Sequence, residues 1–391
     1  MSARRLLSLI HGAIGSLLAL FIILVGGTGA ALAFMSEMFM AEHGQILRVE
    51  TVKSEPYADV DRLVAGAKAG LDGKLIPVGV FMPHTRIEHA ETAIVFGLPE
   101  GSADFDELRM VSVDPWSGVY KGDFRLHDAF GYALVHFHHQ LFAEDVGTAF
   151  VSALGLLLVA FALTGVWLWW PRGGSAWRKA WPPDVRGGAR RAWFRLHGWV
   201  GVWVGLLIML FSLTGTGAAS PDWFGPLLSE LYEAPANAGF ERVCDGGQVT
   251  PGQAARETET RWPGRRLASL YFPFEAGKPY RMAFSAPGDL NTLDGDFVVF
   301  AHTTCSDVLY GTDMGRGSLS DRASAIMLSL HGGYPLGFLG DILVIITGIA
   351  LVLLSGSGVY VFFTRTLRFG ARTQTRRSSE NVSDTGLRAE G

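Results

Sequence analysis

His11 and His197 occupy equivalent places in a duplicated chain. Residues 11–29 read HGAIGSLLALFIILVGGTG and residues 197–215 read HGWVGVWVGLLIMLFSLTG. A constant offset of 186 pairs the two histidines, Gly12 with Gly198, Gly15 with Gly201, and Thr28-Gly29 with Thr214-Gly215. A second likeness is looser: LTGVW (Leu163–Trp167) resembles LSGSGVY (Leu354–Tyr360). Each of these is preceded by a histidine, His138 or His139 in the first half and His331 in the second. A single histidine at a helix end is most often a hydrogen-bonded surface residue, but recurrence at matched positions argues for a shared role. Two facing neutral imidazoles suit a haem iron ligated from both sides. Zinc or copper would want a third or fourth ligand such as Cys or carboxylate, and the sequence beside His11 and His197 supplies none.

The elements that must position these residues are four long apolar blocks, about Gly12–Phe34, Gly147–Trp170, Gly198–Ala219 and Phe338–Phe363. Each can cross a hydrocarbon layer about 30 Å thick, which takes ~20 helical residues, and lipid obliges such blocks to be helical. Arg4 and Arg5 precede the first block. Arg172, Arg178, Lys179, Arg186, Arg190, Arg191 and Arg195 stand between the second and third against one acid, Asp184. Arg365, Arg368, Arg372, Arg376 and Arg377 follow the fourth. The long loops are acidic instead, with 18 acids against 9 bases over 36–146 and 14 against 9 over 220–338. The positive-inside rule then expects both termini and the short middle loop in the cytoplasm. It also makes the two copies of helix, outer loop and helix a parallel repeat about an axis along the membrane normal. Met1–Arg5, the apolar run and Ala31-Leu32-Ala33 resemble a cleavable signal peptide, but the run exceeds the usual ~7–15 residues and has a twin later in the chain.

The outer loops read as small α+β domains. The first carries an amphipathic helix at Tyr57–Ala69, strands at Lys74–Phe81, Thr92–Phe96 and Arg109–Val113, and a turn at Asp114-Pro115-Trp116-Ser117-Gly118. The second carries a helix near Gly252–Thr260 and strands near Leu267–Phe272, Tyr280–Phe284 and Phe297–Ala301. The two cysteines, Cys244 and Cys305, share this second loop, where an oxidising compartment favours a disulfide. The tail after Arg372 is polar and reads as disordered.

Other residues were weighed for chemistry. In Phe124–Phe142 (FRLHDAFGYALVHFHHQLF), His127, Gly131, Leu134 and His138 share one helical face and His139 points elsewhere. Glycines 12, 15, 198, 201 and 205 either make room for a flat macrocycle or let helices approach closely. Met35, Met38, Met40 and His43 could suggest a soft-metal site, or membrane-edge packing. His84, His89 and His302 have no partner pattern. There is no nucleotide fingerprint, nucleophile elbow, HExxH or P-loop, and basic residues sit where topology needs them, which argues against a nucleic-acid partner.

Taken in order, these motifs resemble the PepSY-associated transmembrane family of bacterial inner-membrane proteins, which includes di-haem ferric-siderophore reductases. The marks are the helix-one HGxxG, FHHQLF…LTGVWLWWPR (Phe137–Arg172), RLHGWVGVW (Arg195–Trp203), SLHGGYPLG (Ser329–Gly337) and VSVDPWSG (Val111–Gly118), over about residues 5–365. The resemblance implies an integral-membrane all-α four-helix bundle with two extracytoplasmic α+β PepSY-like domains. The expected division is 1–35 cytoplasmic N-terminus and first helix, 36–146 first outer domain, 147–170 second helix and 171–196 basic loop. It continues as 197–219 third helix, 220–337 second outer domain, 338–364 fourth helix and 365–391 cytoplasmic tail. It implies two b-type haems, one on His11 and His197 and one on His138 and His331. In the family a histidine lies 26 residues before the Thr-Gly of helix two, which favours His138 over the alternative His139. The expected activity is reduction of a ferric siderophore or other iron chelate outside the cytoplasm, fed by a quinol or a partner reductase, in the bacterial inner membrane. A non-redox anchored regulator and a metal or metal-chelate permease are the alternatives. The second outer loop departs from the family by reading AHTTCSDVLYG (Ala301–Gly311) where an Asp-Pro turn is expected, so a disulfide at Cys305 would replace the usual bracing.

Overall fold

The computed structural model describes residues 2–87, 89–170, 187–229, 240, 244, 247–275 and 277–386. Arg172, Arg178, Lys179, Asp184 and Arg186 of the basic loop lie outside the described residues. The chain divides into two compact units, one of residues 1–30, 150–213 and 345–391, the other of residues 31–149 and 214–344.

The first unit is built from long apolar helices. Helices α1 (Ala3–Leu32), α5 (Glu144–Trp169), α6 (Ala189–Ala219) and the Phe338–Arg365 part of α9 (Phe338–Gly386) run 30, 26, 31 and 28 residues. At 1.5 Å per residue each is about 39–47 Å long, more than a hydrocarbon core about 30 Å thick. The chain is a multi-pass membrane protein. All four helices contribute to one apolar core, with Ile22, Leu154, Leu158, Ala162 and Ile208 buried among Leu351 and Leu354. Close approach depends on glycine: a methyl at Gly12 would stand 2.8 Å from the Phe362 ring, and one at Gly198 would stand 2.9 Å from Trp169. Helix α9 continues to Gly386, through the tail that reads as disordered in sequence.

The second unit is organised on one antiparallel eight-stranded sheet. Its strands are β1 (Leu75–Phe81), β2 (Ala93–Pro99), β3 (Arg109–Val113), β4 (Tyr120–Arg125), β5 (Arg266–Tyr271), β6 (Tyr280–Ser285), β7 (Phe297–Ala301) and β8 (Leu309–Asp313), in the order β4-β3-β2-β1-β5-β6-β7-β8. The order reads alike from either edge, and the halves join where β1 pairs with β5 at Gly79↔Tyr271, Val80↔Leu270 and Phe81↔Ser269. The two outer loops, expected as separate domains, thus share one sheet. Strand alternation puts Val80, Val95, Val111, Leu270, Met282 and Val299 on one face, beneath α3 (Val60–Gly70) and α7 (Pro251–Arg261). The opposite face buries Ile94, Phe96 and Met110 against Phe39 and Leu47 of α2 (Met35–Leu47). Each fully buried side chain of this size stabilises the fold by about 1.5–3 kcal/mol relative to exposure.

Polar contacts lock the halves together. Asp59 caps α3 by accepting from the Asp61 amide, while Asp61 accepts from Thr250 Oγ1 at 2.6 Å and from the Gly252 amide at 3.0 Å. An acid of the first loop therefore meets the start of α7, where the helix dipole favours negative charge. Thr250 and Gln253 complete a capping box there, and Ser318 with Asp321 does the same for α8 (Leu319–His331). Arg86 forms a forked pair with Asp294, its Nε 3.0 Å from Oδ1. Cys244 and Cys305 are disulfide-bonded with Cα atoms 5.5 Å apart.

Candidate functional site

Within the first unit the rings of His11, on α1, and His197, on α6, have centroids 6.4 Å apart and planes at 85°. Each ring is held by a hydroxyl on another helix. His11 Nδ1 is 3.0 Å from Thr164 Oγ1 on α5, and His197 Nδ1 is 3.0 Å from Ser357 Oγ on α9. Thr164 donates its own proton to the Ala160 carbonyl at 2.7 Å, and Ser357 donates to the Leu354 carbonyl at 3.1 Å. A hydroxyl has one proton, so a hydroxyl that gives it to the carbonyl accepts from Nδ1–H. In that tautomer Nε2 carries the lone pair that can serve as a metal ligand.

The space around the pair is open. A cavity of about 700 Å³ is lined by both histidines and by residues of all four helices of the unit, a volume in the usual range for small-molecule and cofactor sites. The glycines divide into two roles. Gly12 and Gly198 are places where helices touch, as above, whereas a methyl at Gly15 would meet nothing within 4 Å. Gly15 therefore opens the cavity. Ser16 Oγ lines the cavity too, and it is buried without a hydrogen-bond partner among the described residues.

In the second unit, the ring opposite His331 is that of His138, on α4 (Phe130–Gln140), at 6.1 Å and 39°. Thr214 Oγ1 lies 3.4 Å from His331 Nδ1. Gly215 keeps the approach open, since a methyl there would stand 2.5 Å from the His331 ring. His138 lies 26 residues before Thr164 (164 − 138) and His331 lies 26 before Ser357 (357 − 331). The histidines and the hydroxyls thus keep one spacing in both halves. Burial holds the His139 pKa below the ordinary histidine value. His136 is also lowered, by burial first and by His127 second; its Nδ1 is 3.0 Å from Gln140 Nε2.

Other residues singled out in the sequence make contacts away from the two histidine pairs. Met35 and Met40 pack against the second core cluster, and His43 stacks on Phe124 at 3.8 Å. His302 is buried, and its Nδ1 accepts from the amides of Thr304 at 3.0 Å and Cys305 at 3.3 Å. His89 lies 3.7 Å from Glu37. Thr164 and Ser357 were missed as site residues by sequence reasoning; the available signal was a hydroxyl at the same repeat position in two otherwise apolar helices.

Among the described residues no group of three or more His, Cys, Asp or Glu side chains is placed to hold a metal ion. Among the described residues each pair therefore offers two rings and no third His, Cys, Asp or Glu ligand. An imidazole nitrogen binds a metal at about 2 Å, so rings ligating one ion from opposite sides have centroids about 6 Å apart; both pairs are near that separation. No curated protein matches the chain. A family model described as the PepSY-associated TM region matches residues 8–365, nearly the whole chain, and the protein belongs to that family.

Proposed function

We propose that the chain is an electron-transfer protein of the bacterial inner membrane that holds two b-type haems and reduces a ferric chelate, such as a ferric siderophore, outside the cytoplasm. The observation that carries this reading is the pair of opposed histidine couples, 6.4 and 6.1 Å apart, at repeat-related positions. Two imidazoles at that separation, with no third His, Cys, Asp or Glu beside them among the described residues, would suit a haem iron. The cavity beside His11 and His197, the open wall at Gly15 and the unpartnered Ser16 Oγ fit a bulky group there. When bound, the haems supply one-electron chemistry. The chain's own part is to fix the imidazoles: Thr164 and Ser357 hold Nδ1–H so that Nε2 faces the ligand, and Thr214 supports His331.

In this reading the two copies of helix, outer loop and helix form a parallel four-helix bundle with both termini in the cytoplasm. Each chelate accepts one electron, Fe(III) becoming Fe(II), and hard oxygen chelators then release the metal more readily. The electron comes from a quinol or a partner reductase. The arginines flanking the apolar blocks support the orientation, which reporter fusions at residues 100 and 180 check: export at the first and cytoplasmic retention at the second are expected.

The deciding experiment is an absorption spectrum with haem quantification on the purified protein. Two low-spin haems per chain are expected, falling to one in His197→Ala and to one in His331→Ala. Well-folded protein without haem overturns the reading in favour of an anchored regulator. Loss of haem in His139→Ala but not His138→Ala moves the outer ligand to His139.

A further inference from the structure

The cavity beside His11 and His197 has two unlike ends. Toward one end lie Arg4 and Arg5, seven and six residues before His11, or about 10 and 9 Å of helix. Arg195 stands two residues before His197, and Arg365 stands seven after Gly358, which adjoins the His197 ring. Toward the other end the lining is hydrocarbon, with Ile22 eleven residues beyond His11, about 16 Å along the helix, beside Leu158, Ile208 and Leu351. Among the described residues no Asp or Glu lines the cavity. Arg4 meets the Leu168 carbonyl and Arg365 meets Ser8 Oγ at 3.4 Å, and these neutral oxygens leave the charge of both in place.

We propose that Arg4, Arg5, Arg195 and Arg365 form an anion clamp that binds the carboxylates of the ligand held between His11 and His197. This rests on the haem reading above and specifies which way round the group enters. A flat group held between the two imidazoles would lie across the line joining them, with its edges along the helices. One edge then meets arginine and the other meets the apolar core. An iron protoporphyrin carries both propionates on one edge and only hydrocarbon on the opposite one. Carboxylates entering a low-dielectric site are costly unless paired, and guanidinium forks pair them with two bonds at once. The positive-inside rule accounts for arginine at helix ends; it does not require guanidinium groups from three helices to line one cavity. The other anion that could claim them is the phosphate of a lipid headgroup.

The test removes the carboxylates from the ligand and the charges from the protein in turn. Full-length His331→Ala protein, which keeps the His11/His197 site, is stripped and titrated with iron protoporphyrin IX and with its dimethyl ester. Binding of the diacid about tenfold or more tighter than the ester is expected. Combining Arg5→Gln with Arg365→Gln should abolish that preference while leaving ester affinity unchanged, which also certifies the fold. The same variant should lower the midpoint potential of the bound diacid, because removing positive charge favours ferric iron. Equal affinity for diacid and ester in the parent, or equal losses for both in the variant, overturns the clamp. So does an intact diacid preference in the variant accompanied by loss of co-purified anionic lipid, which assigns the arginines to headgroups. If neither porphyrin binds the parent, the haem reading fails and the clamp fails with it.

Discussion

The two halves of the sheet close the same strand-end turn with different chemistry. After β3, Asp114 Oδ1 accepts from the Trp116 amide at 3.1 Å, the Ser117 amide at 2.8 Å and Ser117 Oγ at 2.8 Å. After β7, His302 Nδ1 accepts from the Thr304 and Cys305 amides, again two and three residues on, and lies 3.2 Å from Thr304 Oγ1. The backbone agrees as well: the Asp114 amide donates to the Val119 carbonyl at 2.8 Å and the His302 amide to the Val308 carbonyl at 3.1 Å. What the turn needs is an acceptor at its first position, and a ring nitrogen serves there as a carboxylate oxygen does. The first half adds Pro115 and a left-handed Gly118, φ 70°. The second half adds a covalent tie at Cys305.

Breaking that tie should produce the largest asymmetry. Cys244→Ser or Cys305→Ser releases a loop of 61 residues, worth about 4 kcal/mol in the chain-entropy model. Hydrogen exchange under reducing conditions should rise in β7 and β8 before β3 and β4; equal protection of both halves would mean that His302 alone suffices. The membrane helices offer the next test, because there the halves are alike. Thr164→Val and Ser357→Ala each release one Nδ1, and under the proposed function each should weaken haem binding at the His11/His197 pair about 10–100-fold, as outer-shell losses typically do. Ser357→Thr should be tolerated, since Thr already serves this role on α5. A loss confined to one of the two hydroxyls, read by haem titration, would show that the histidines are not held equivalently.

Smaller effects return to the turns. Asp114→Ala and His302→Ala should each cost about 0.5–2 kcal/mol, the range for losing a side-chain cap on backbone amides, measured by chemical denaturation. His302→Asp should recover most of the loss in its half. Smallest is the pH response. Burial raises the Asp114 pKa, but bonds from Ser117 and Trp116 and the charge of Lys53 leave it below the ordinary carboxylate value. The unfolded chain then binds the proton more readily. Asp114 therefore stabilises the fold above the ordinary aspartate range, and that contribution disappears as pH falls through its lowered value. Protection of the Trp116 and Ser117 amides, relative to their intrinsic exchange rates, should fall on acidification in the wild type and be flatter with pH in Asp114→Asn.

Hydropathy made the membrane helices legible, because apolar length is a property of the sequence itself, and the repeat singled out four histidines by matched position. The structure joins histidines that sequence could only align: His11 with His197, and His138 with His331. The edge strands were not legible. β4 (YKGDFR) and β8 (LYGTD) carry glycine and charge, and take their conformation from pairing with β3 and β7. Helix α8 was missed because LSDRASAIMLSLH mixes serine and charge with few large apolar residues, although Ser318 and Asp321 form a capping box. The β1–β5 junction was missed for a different reason. Both strands read as interior segments of separate domains, and only their register reveals the shared ladder.

That junction sets a schedule for making the protein. The open side of β1 is complete once Phe81 has been synthesised, but its partner ends at Tyr271, 190 residues later (271 − 81). At ~5–20 residues per second, β1 waits about 10–40 s with a row of unsatisfied amides and carbonyls at the rim of a half-built sheet, a template for pairing with the wrong chain. Two further membrane helices, α5 and α6, are synthesised during that wait. Slowing translation between residues 100 and 260 lengthens this window, so neighbouring nascent chains gain time to pair with one another before β5 arrives.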